Sequence, residues 1–309
     1  MGEFSNIPVV DLGGNDPIAA FADAYGSTGF GYIVNHGIDD NLIEGVFEAS
    51  RNFHALPLEQ KLSVELNHLH RGYIPINTST DVNSKLAEVK RPNQSASFMM
   101  MREDPAEDSA TYLSGPNQWP DLPGFQNTLE TYAAALTSLG QNLMRIALQA
   151  AGVTDDSVMS YFQVPTIWLR LLHYPPTPET GPADLYGSAP HTDFGCLTIL
   201  AQDDVGGLQV KAPSGQWVDA PKIPGSFVVN VGDMLHRMSN GRLLSTPHRV
   251  INRSGRERYS CPFFFDPHVS LDVTPLPGTG APRFEPINFG DFLRQELQAG
   301  YDKHKPAET

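Results

Sequence analysis

Cysteine is nearly missing from this chain: Cys196 and Cys261 are the only two in 309 residues. That is too few for a disulfide framework or a thiolate zinc site, and it suits a reducing compartment. Positive charge is also short, with 21 Lys and Arg against 35 Asp and Glu and a formal net charge of -14. A nucleic-acid binder normally carries a basic stripe, so that class is set aside. A cationic small substrate is not excluded, because net charge reports solubility and steering rather than a pocket. No apolar run reaches the roughly 18 residues of a membrane span, and no basic stretch leads into an apolar one near the start. Internal repeats and low-complexity tracts are absent as well. The expected setting is therefore soluble and cytoplasmic, with a small-molecule substrate and no nucleic-acid or membrane partner. What is present suffices for a core: 40% of residues are hydrophobic and 9% aromatic, which excludes wholesale disorder.

Patterning divides the chain. Val9–Leu12 reads as a short strand, and Ile18, Phe21, Ala22 and Tyr25 fall at helix spacing after Asp16. Gly29–Gly37 reads as a strand ending in a turn. Residues 76–118 lack periodicity and suggest functional loops or a lid. A long helix is predicted from Pro123 to Ala151, its apolar positions Phe125, Leu129, Tyr132, Leu136, Leu139, Leu143 and Ile146 alternating steps of four and three. Gly152 stands where its C-terminal cap belongs. From Thr166 onward short apolar runs alternate with Gly, Pro, Asp and Ser, the texture of an antiparallel barrel or sandwich. These runs are Ile167–Leu172, Leu197–Leu200, Leu208–Val210, Phe227–Val231, His248–Ile251 and Ser260–Phe265. Asn288–Lys303 is amphipathic and predicts a terminal helix. The fold class is α+β, with helices backing one β barrel.

His191-Thr192-Asp193 is the first feature with chemical content. On an extended segment residues i and i+2 share a face, so the imidazole and the carboxylate can converge on one metal. His248 follows after a gap long enough for several strands to return to the same barrel end. Two imidazoles and one carboxylate leave part of a metal's coordination sphere open, as non-haem iron(II) oxygenases require, although zinc could take the same ligands. Arg258 and Ser260 again share a strand face. A guanidinium beside a hydroxyl makes a bidentate, charge-assisted carboxylate receptor. The plain alternative is a strand arginine in a surface salt bridge.

With these residues placed, the chain resembles the isopenicillin N synthase-like group of iron(II)/2-oxoglutarate dioxygenases. Ile7–Asp11, Gly29–Ile38, Leu56–Lys61, Arg71–Tyr73 and Gly115–Pro120 match its N-terminal signatures in order. His191–Gly195, Asn230–Leu235, Ser239–Gly241, Pro247–Val250 and Arg258–Ser260 follow, so the resemblance spans essentially the whole chain. It implies a double-stranded β-helix (jelly-roll) core with supporting N-terminal helices and a C-terminal helix. It also implies a single catalytic unit over 1–309. Within this unit lie an N-terminal family region with an irregular lid (1–120), a long support helix (121–152) and the jelly-roll oxygenase core (166–268).

By the same resemblance, His191, Asp193 and His248 match the iron(II) ligands. Arg258 and Ser260 match the grip on the distal carboxylate of the co-substrate 2-oxoglutarate, and Tyr174 matches a tyrosine that often adds a hydrogen bond there. An ordinary core tyrosine is the alternative for Tyr174. Leu172 departs from the pattern, since many plant members carry Asn at that place. The implied reaction uses O2 and converts 2-oxoglutarate to succinate and CO2 while oxidising a C–H bond of a small metabolite. Hydroxylation is the usual outcome, with desaturation and cyclisation as variants. An isopenicillin N synthase-type oxidase that needs no 2-oxoglutarate is the rival enzyme, and a non-catalytic metal or small-molecule sensor is the rival from another class.

Other candidates carry less. His236 reads as a pocket or supporting group and His36 as part of a turn. His54, His68, His70, His268 and His304 read as surface or packing residues, and Cys196 as a small core residue. Phe98–Met101 reads as core or as a channel wall, and Gly206-Gly207 as a hinge between strand and loop. Asn67–Tyr73, Phe98–Met101, Gln209-Val210 and Phe263–Phe265 are the segments expected to face substrate.

Overall fold

The computed structural model describes residues 3–79, 86, 89–104, 111–182 and 184–300. His304, the end of the expected terminal helix and parts of the expected lid lie outside them. Two β-rich segments set the architecture. β5 (Thr166–Tyr174) and β12 (Arg258–Asp266) run antiparallel along nine residues each. Around them an eight-stranded sheet is ordered β1-β2-β10-β7-β12-β5-β4-β3. Its remaining strands are β1 (Val9–Asp11), β2 (Phe30–Val34), β3 (Gly72–Ile74), β4 (Ala96–Met101), β7 (Leu197–Gln202) and β10 (Ser226–Val231). A four-stranded sheet, β6-β11-β8-β9, completes the jelly roll with β6 (Ser188–His191), β8 (Leu208–Lys211), β9 (Trp217–Asp219) and β11 (His248–Val250). A small β13 (Asp272–Val273) and β14 (Ile287–Asn288) pair stands apart from both sheets.

The large sheet has two different faces, as the two-residue side-chain period requires. Phe263, Phe265, Leu169, Leu171, Ile199, Phe227 and Val229 join a helix-backed core with α1 (Pro17–Ser27), α2 (Asp40–His54) and α4 (Phe125–Ala150). The opposite residues of the same strands contribute to a smaller core inside the barrel, with Phe30, Tyr32, Leu172, Leu200, Val210 and Val228. Asp16 caps α1 by accepting the Ala19 amide at 2.9 Å, satisfying a donor that the first helical turn leaves orphaned. α4 matches the expected long helix within two residues at each end, and Gly152 follows it at φ +81°. The ring of Phe265 lies so close on α4 that a Cβ at Gly140 would meet it at 2.7 Å.

Several expectations need correcting. The stretch 76–118 is not all loop: it supplies β4, which pairs with β5 and is buried throughout. The six-residue run there does not alternate apolar with polar, because both faces of β4 are covered. Ile18 is 36% exposed while Phe21, Ala24 and Tyr25 are buried, so the inner stripe of α1 is shifted from the one the spacing suggested. Helix α2, the short helices α3 (Leu58–Leu62) and α5 (Asp233–Met238), and β9 were not legible beforehand. The terminal helix α6 is described over Phe289–Gly300.

Candidate functional site

His191 ends β6 and His248 opens β11, and the two are direct register partners. Paired residues on neighbouring antiparallel strands point to one face, and the two rings lie 4.3 Å apart between centroids. Asp193 arrives differently from the expected strand alternation, because β6 stops at His191. The turn beyond it is pinned by the start of α5: the Asp233 amide donates to Asp193 O at 2.8 Å and the Met234 amide to Gly195 O at 2.9 Å. From the other side Asp266 accepts the Cys196 amide at 2.6 Å. Only glycine fits at 195, since a Cβ there would stand 1.7 Å from the Asp266 carboxylate.

The atoms left facing each other are a ligand set. Asp193 Oδ1 lies 3.6 Å from Nε2 of His191 and 3.6 Å from Nε2 of His248. All three donor atoms fall within 4.8 Å of one another. Their outer atoms are engaged elsewhere. His191 Nδ1 meets Ala189 O at 2.7 Å and His248 Nδ1 meets Thr246 O at 3.2 Å. A carbonyl only accepts, so each Nδ1 carries the proton and each Nε2 presents its lone pair inward. Asp193 Oδ2 accepts from Thr198 Oγ1 and, at 2.7 Å, from Asn230 Nδ2. Burial works to raise the Asp193 carboxyl, but His248, His191 and the Asn230 amide together hold it well below the usual carboxylate range. An ionised carboxylate and two neutral imidazoles converging on a point fit a divalent transition metal with open positions, iron(II) among them.

A second device stands on β5 and β12. Arg258 is 1% exposed and donates to Gly206 O at 2.7 Å, Ser260 Oγ at 3.3 Å and Gln202 Oε1 at 3.4 Å. All three acceptors are neutral, and among the described residues no carboxylate pairs with it. A buried cation without a counter-charge is costly, and the arrangement is chemically suited to receive an anion. The Tyr174 ring lies 4.6 Å from the guanidinium carbon, and its hydroxyl accepts from Ser260 Oγ at 3.5 Å. Expected residues Arg258, Ser260 and Tyr174 are thus brought together. Tyr174 lines a cavity together with His191 and Asp193, while Arg258 and Ser260 contact Tyr174 without lining that cavity themselves.

That cavity encloses about 880 Å³, open mouth included, and is walled by the inward side of β5 (Trp168, Arg170, Leu172, Tyr174) together with Met99, Phe194 and Phe264. Of the segments expected to face substrate, only Met99 and Phe264 reach it. Phe98, Met100, Phe263 and Phe265 turn to the helix-backed core, for the alternation that places Phe264 inside places its neighbours outside. Val210 fills the inner core, and Gln209 pairs with Asp219 and Arg249. Asn67–Tyr73 does not reach the cavity: Arg71 is buried against the Leu69 and Arg102 carbonyls. His236 meets Leu243 O at 2.6 Å and stands apart from the metal cluster. His54 is no surface residue: burial pushes its pKa down to about 3, against the opposing Leu171 carbonyl at 2.9 Å. Thr198, Asn230, Gln202, Asp266 and Arg170 were not singled out by spacing. A polar residue inside the apolar runs Ser226–Val231 and Thr166–Tyr174 is the signal for Asn230 and Arg170, and Asn230 also opens one of the family-like motifs.

Family models agree with this geometry on two stretches. One, described as the 2OG-Fe(II) oxygenase superfamily, matches residues 165–267, and another, the non-haem dioxygenase in morphine synthesis N-terminal region, matches residues 7–122. The chain belongs to the 2OG-Fe(II) oxygenase superfamily and is a 2-oxoglutarate-dependent dioxygenase. Within that class its relatives include the 2-oxoglutarate-Fe(II) type oxidoreductase hxnY of Emericella nidulans, 36% identical over 89% of this chain and 82% of that one. Homoarginine-6-hydroxylase 2-ODD-C23.1 of Arabidopsis thaliana is 33% identical over 94% of this chain and 91% of its own length. Among solved structures, a full-length Neurospora crassa protein in complex with alpha-KG superposes with a TM-score of 0.84 at 33% identity, covering 95% of this chain and 96% of that one. The comparisons support neither rival reading, and no described helix is long and apolar enough to cross a membrane.

Proposed function

We propose that His191, Asp193 and His248 hold the iron, that Arg258, Ser260 and Tyr174 receive the distal carboxylate of 2-oxoglutarate, and that the cavity between them takes a small-molecule substrate. The observation that carries the metal assignment is the convergence of two histidine Nε2 atoms on Asp193 Oδ1 while every outer atom of the three is tied back. When bound, iron(II) supplies the redox chemistry that couples O2 and decarboxylation of 2-oxoglutarate to oxidation of a C–H bond. The chain's own contribution is position. Ala189 and Thr246 carbonyls fix the tautomers of the two ligand rings, and Asn230 with Thr198 fixes the carboxylate. Arg258 supplies the buried charge that orients the co-substrate. Trp168, Leu172 and Phe264 supply apolar wall that keeps water from the reacting C–H bond. The Neurospora crassa protein was also solved with thymine and with 5-formyluracil, which supports a compact substrate here, and the similarity to a homoarginine-6-hydroxylase supports hydroxylation as the reaction type.

The test is metal binding and product formation together. His191→Ala should lose stoichiometric iron(II) binding in anaerobic calorimetry, and succinate release should fall to background. Normal iron binding by that variant would remove the metal assignment. Full oxygen uptake without any succinate would instead remove the co-substrate assignment.

A further inference from the structure

Arg170 is the one arginine or lysine among the described residues that line the cavity, and the co-substrate reading does not use it. It sits on β5 four residues before Tyr174, on the same inward face. At about 3.3 Å per residue the two positions are roughly 13 Å apart along the strand. A five-carbon diacid spans only about 6 Å with C–C bonds near 1.5 Å, so one 2-oxoglutarate held at Tyr174 and Arg258 does not also reach the Arg170 position on the strand. The Arg170 guanidinium is largely uncommitted. One nitrogen donates to Ser97 Oγ at 3.0 Å, and its Nε is buried with no partner. Among the described residues it makes no ion pair, although Glu296 lines the same cavity.

On the Trp168 side the wall beside Arg170 is aromatic, while Asn93, Ser95 and Ser188 line other parts of the cavity. Trp168 and Phe264 meet edge to face at 6.2 Å between centroids, and the indole is locked by its Nε1–H donating to Asp266 Oδ2 at 3.2 Å. Met99 is the cross-strand neighbour of Arg170. A rigid aromatic wall beside a planar, donor-rich cation selects a planar ligand with a bidentate acceptor. We infer that Arg170 is the substrate's anion receptor, and that the substrate is a flat carboxylic acid, aromatic or heteroaromatic, whose carboxylate lies on Arg170 with its ring toward Trp168 and Phe264. This rests on the reading that Arg258 holds the co-substrate.

Calorimetry with the manganese(II)-loaded protein under saturating 2-oxoglutarate tests both readings separately. Benzoate, benzamide and benzylamine serve as probes of equal size and different charge. Benzoate is expected to bind at least about tenfold more tightly than either, as a charge-assisted bidentate contact implies. Arg170→Gln should erase that preference, Arg170→Lys should keep part of it, and both should bind 2-oxoglutarate as the parent does. Equal affinity for the three probes, no benzoate binding, or a preference that survives Arg170→Gln would overturn the inference. The wild-type probe series alone decides it should the Gln variant not fold. Benzoate that binds only by displacing 2-oxoglutarate would place the anion at Arg258 and overturn it too. Loss of 2-oxoglutarate binding in Arg170→Gln but not in Arg258→Gln would reject both assignments at once.

Discussion

The two faces of the large sheet are made by the same strands yet obey different rules. On β12, Phe263 and Phe265 lie under the helices, while Arg258, Ser260, Phe264 and Asp266 look inward. On β10, Val229 and Val231 lie outward and Asn230 inward. The outer face is an apolar jigsaw whose contribution is burial. The inner face holds polar atoms, most of them tied to a named partner, which cost stability unless satisfied; the Nε of Arg170 is the exception. Stability and chemistry are therefore interleaved residue by residue along one strand. A substitution at an odd position of β12 should act on folding, and one at an even position on ligands.

That separation can be broken in three ways. The largest effect is expected for Phe265→Ala, which empties the contact with Phe162 (5.8 Å between centroids) and with Gly140 of α4. It should cost about 3–5 kcal/mol of unfolding free energy in a denaturant titration, with 2-oxoglutarate affinity of the folded fraction unchanged. A matching loss of affinity would show that the faces are not independent. Next comes Asn230→Ala on the inward face, which frees one side of the Asp193 carboxylate. Iron affinity should fall about 10–100-fold, the usual penalty for losing a partner of a metal ligand, and a thermal melt of the metal-free protein should move little.

The smallest effect concerns His54, which docks α2 on the Leu171 carbonyl of β5. Its pKa is pushed down from 6.5 to about 3 by burial. Below pH 6.5 the unfolded chain therefore takes up a proton that the folded chain refuses. This group's contribution to stability is present above 6.5 and is lost as pH falls toward 3, at about 1.4 kcal/mol per pH unit. His54→Gln keeps a donor for Leu171 and removes the titration, so stability measured from pH 6.5 to 5.5 should fall less than in the parent, by about 1 kcal/mol, since the unfolded group is only half protonated at the start of that window. An unchanged slope would mean that His54 is accessible to protons in the folded state.

The pattern of what was legible follows the same division. Outer-face residues declare themselves by period: the long helix and the six C-terminal strand runs were readable because apolar spacing is a local signal. His191, Asp193, His248, Arg258 and Ser260 were readable because each pair lies in a short motif or an i, i+2 step. Gln202 and Asp266 were not, since what defines them is a partner far away in sequence, such as Asp266 with Cys196; Thr198 was not because its bond to Asp193 depends on the turn between them, and Asn230 stood in a motif without its bond to Asp193 being visible. Phe263–Phe265 was expected to face substrate as one block, because the strand alternation that separates Phe264 from its neighbours could not be phased without knowing which side the helices cover. Asp193 was expected on a strand and is held by a turn, because the hydrogen bonds that shape that turn come from the start of α5.

The donor set described above also has a mechanical side. His191 and His248 belong to the four-stranded sheet, whereas Asp193 is lashed through Thr198 and Asn230 to strands of the eight-stranded one. An ion shared by all three is then a rivet between the two halves of the barrel. Loading the metal would tighten that seam as well as arm it. Chelation would loosen the seam there first, leaving the helix-clad side of the sheet closed.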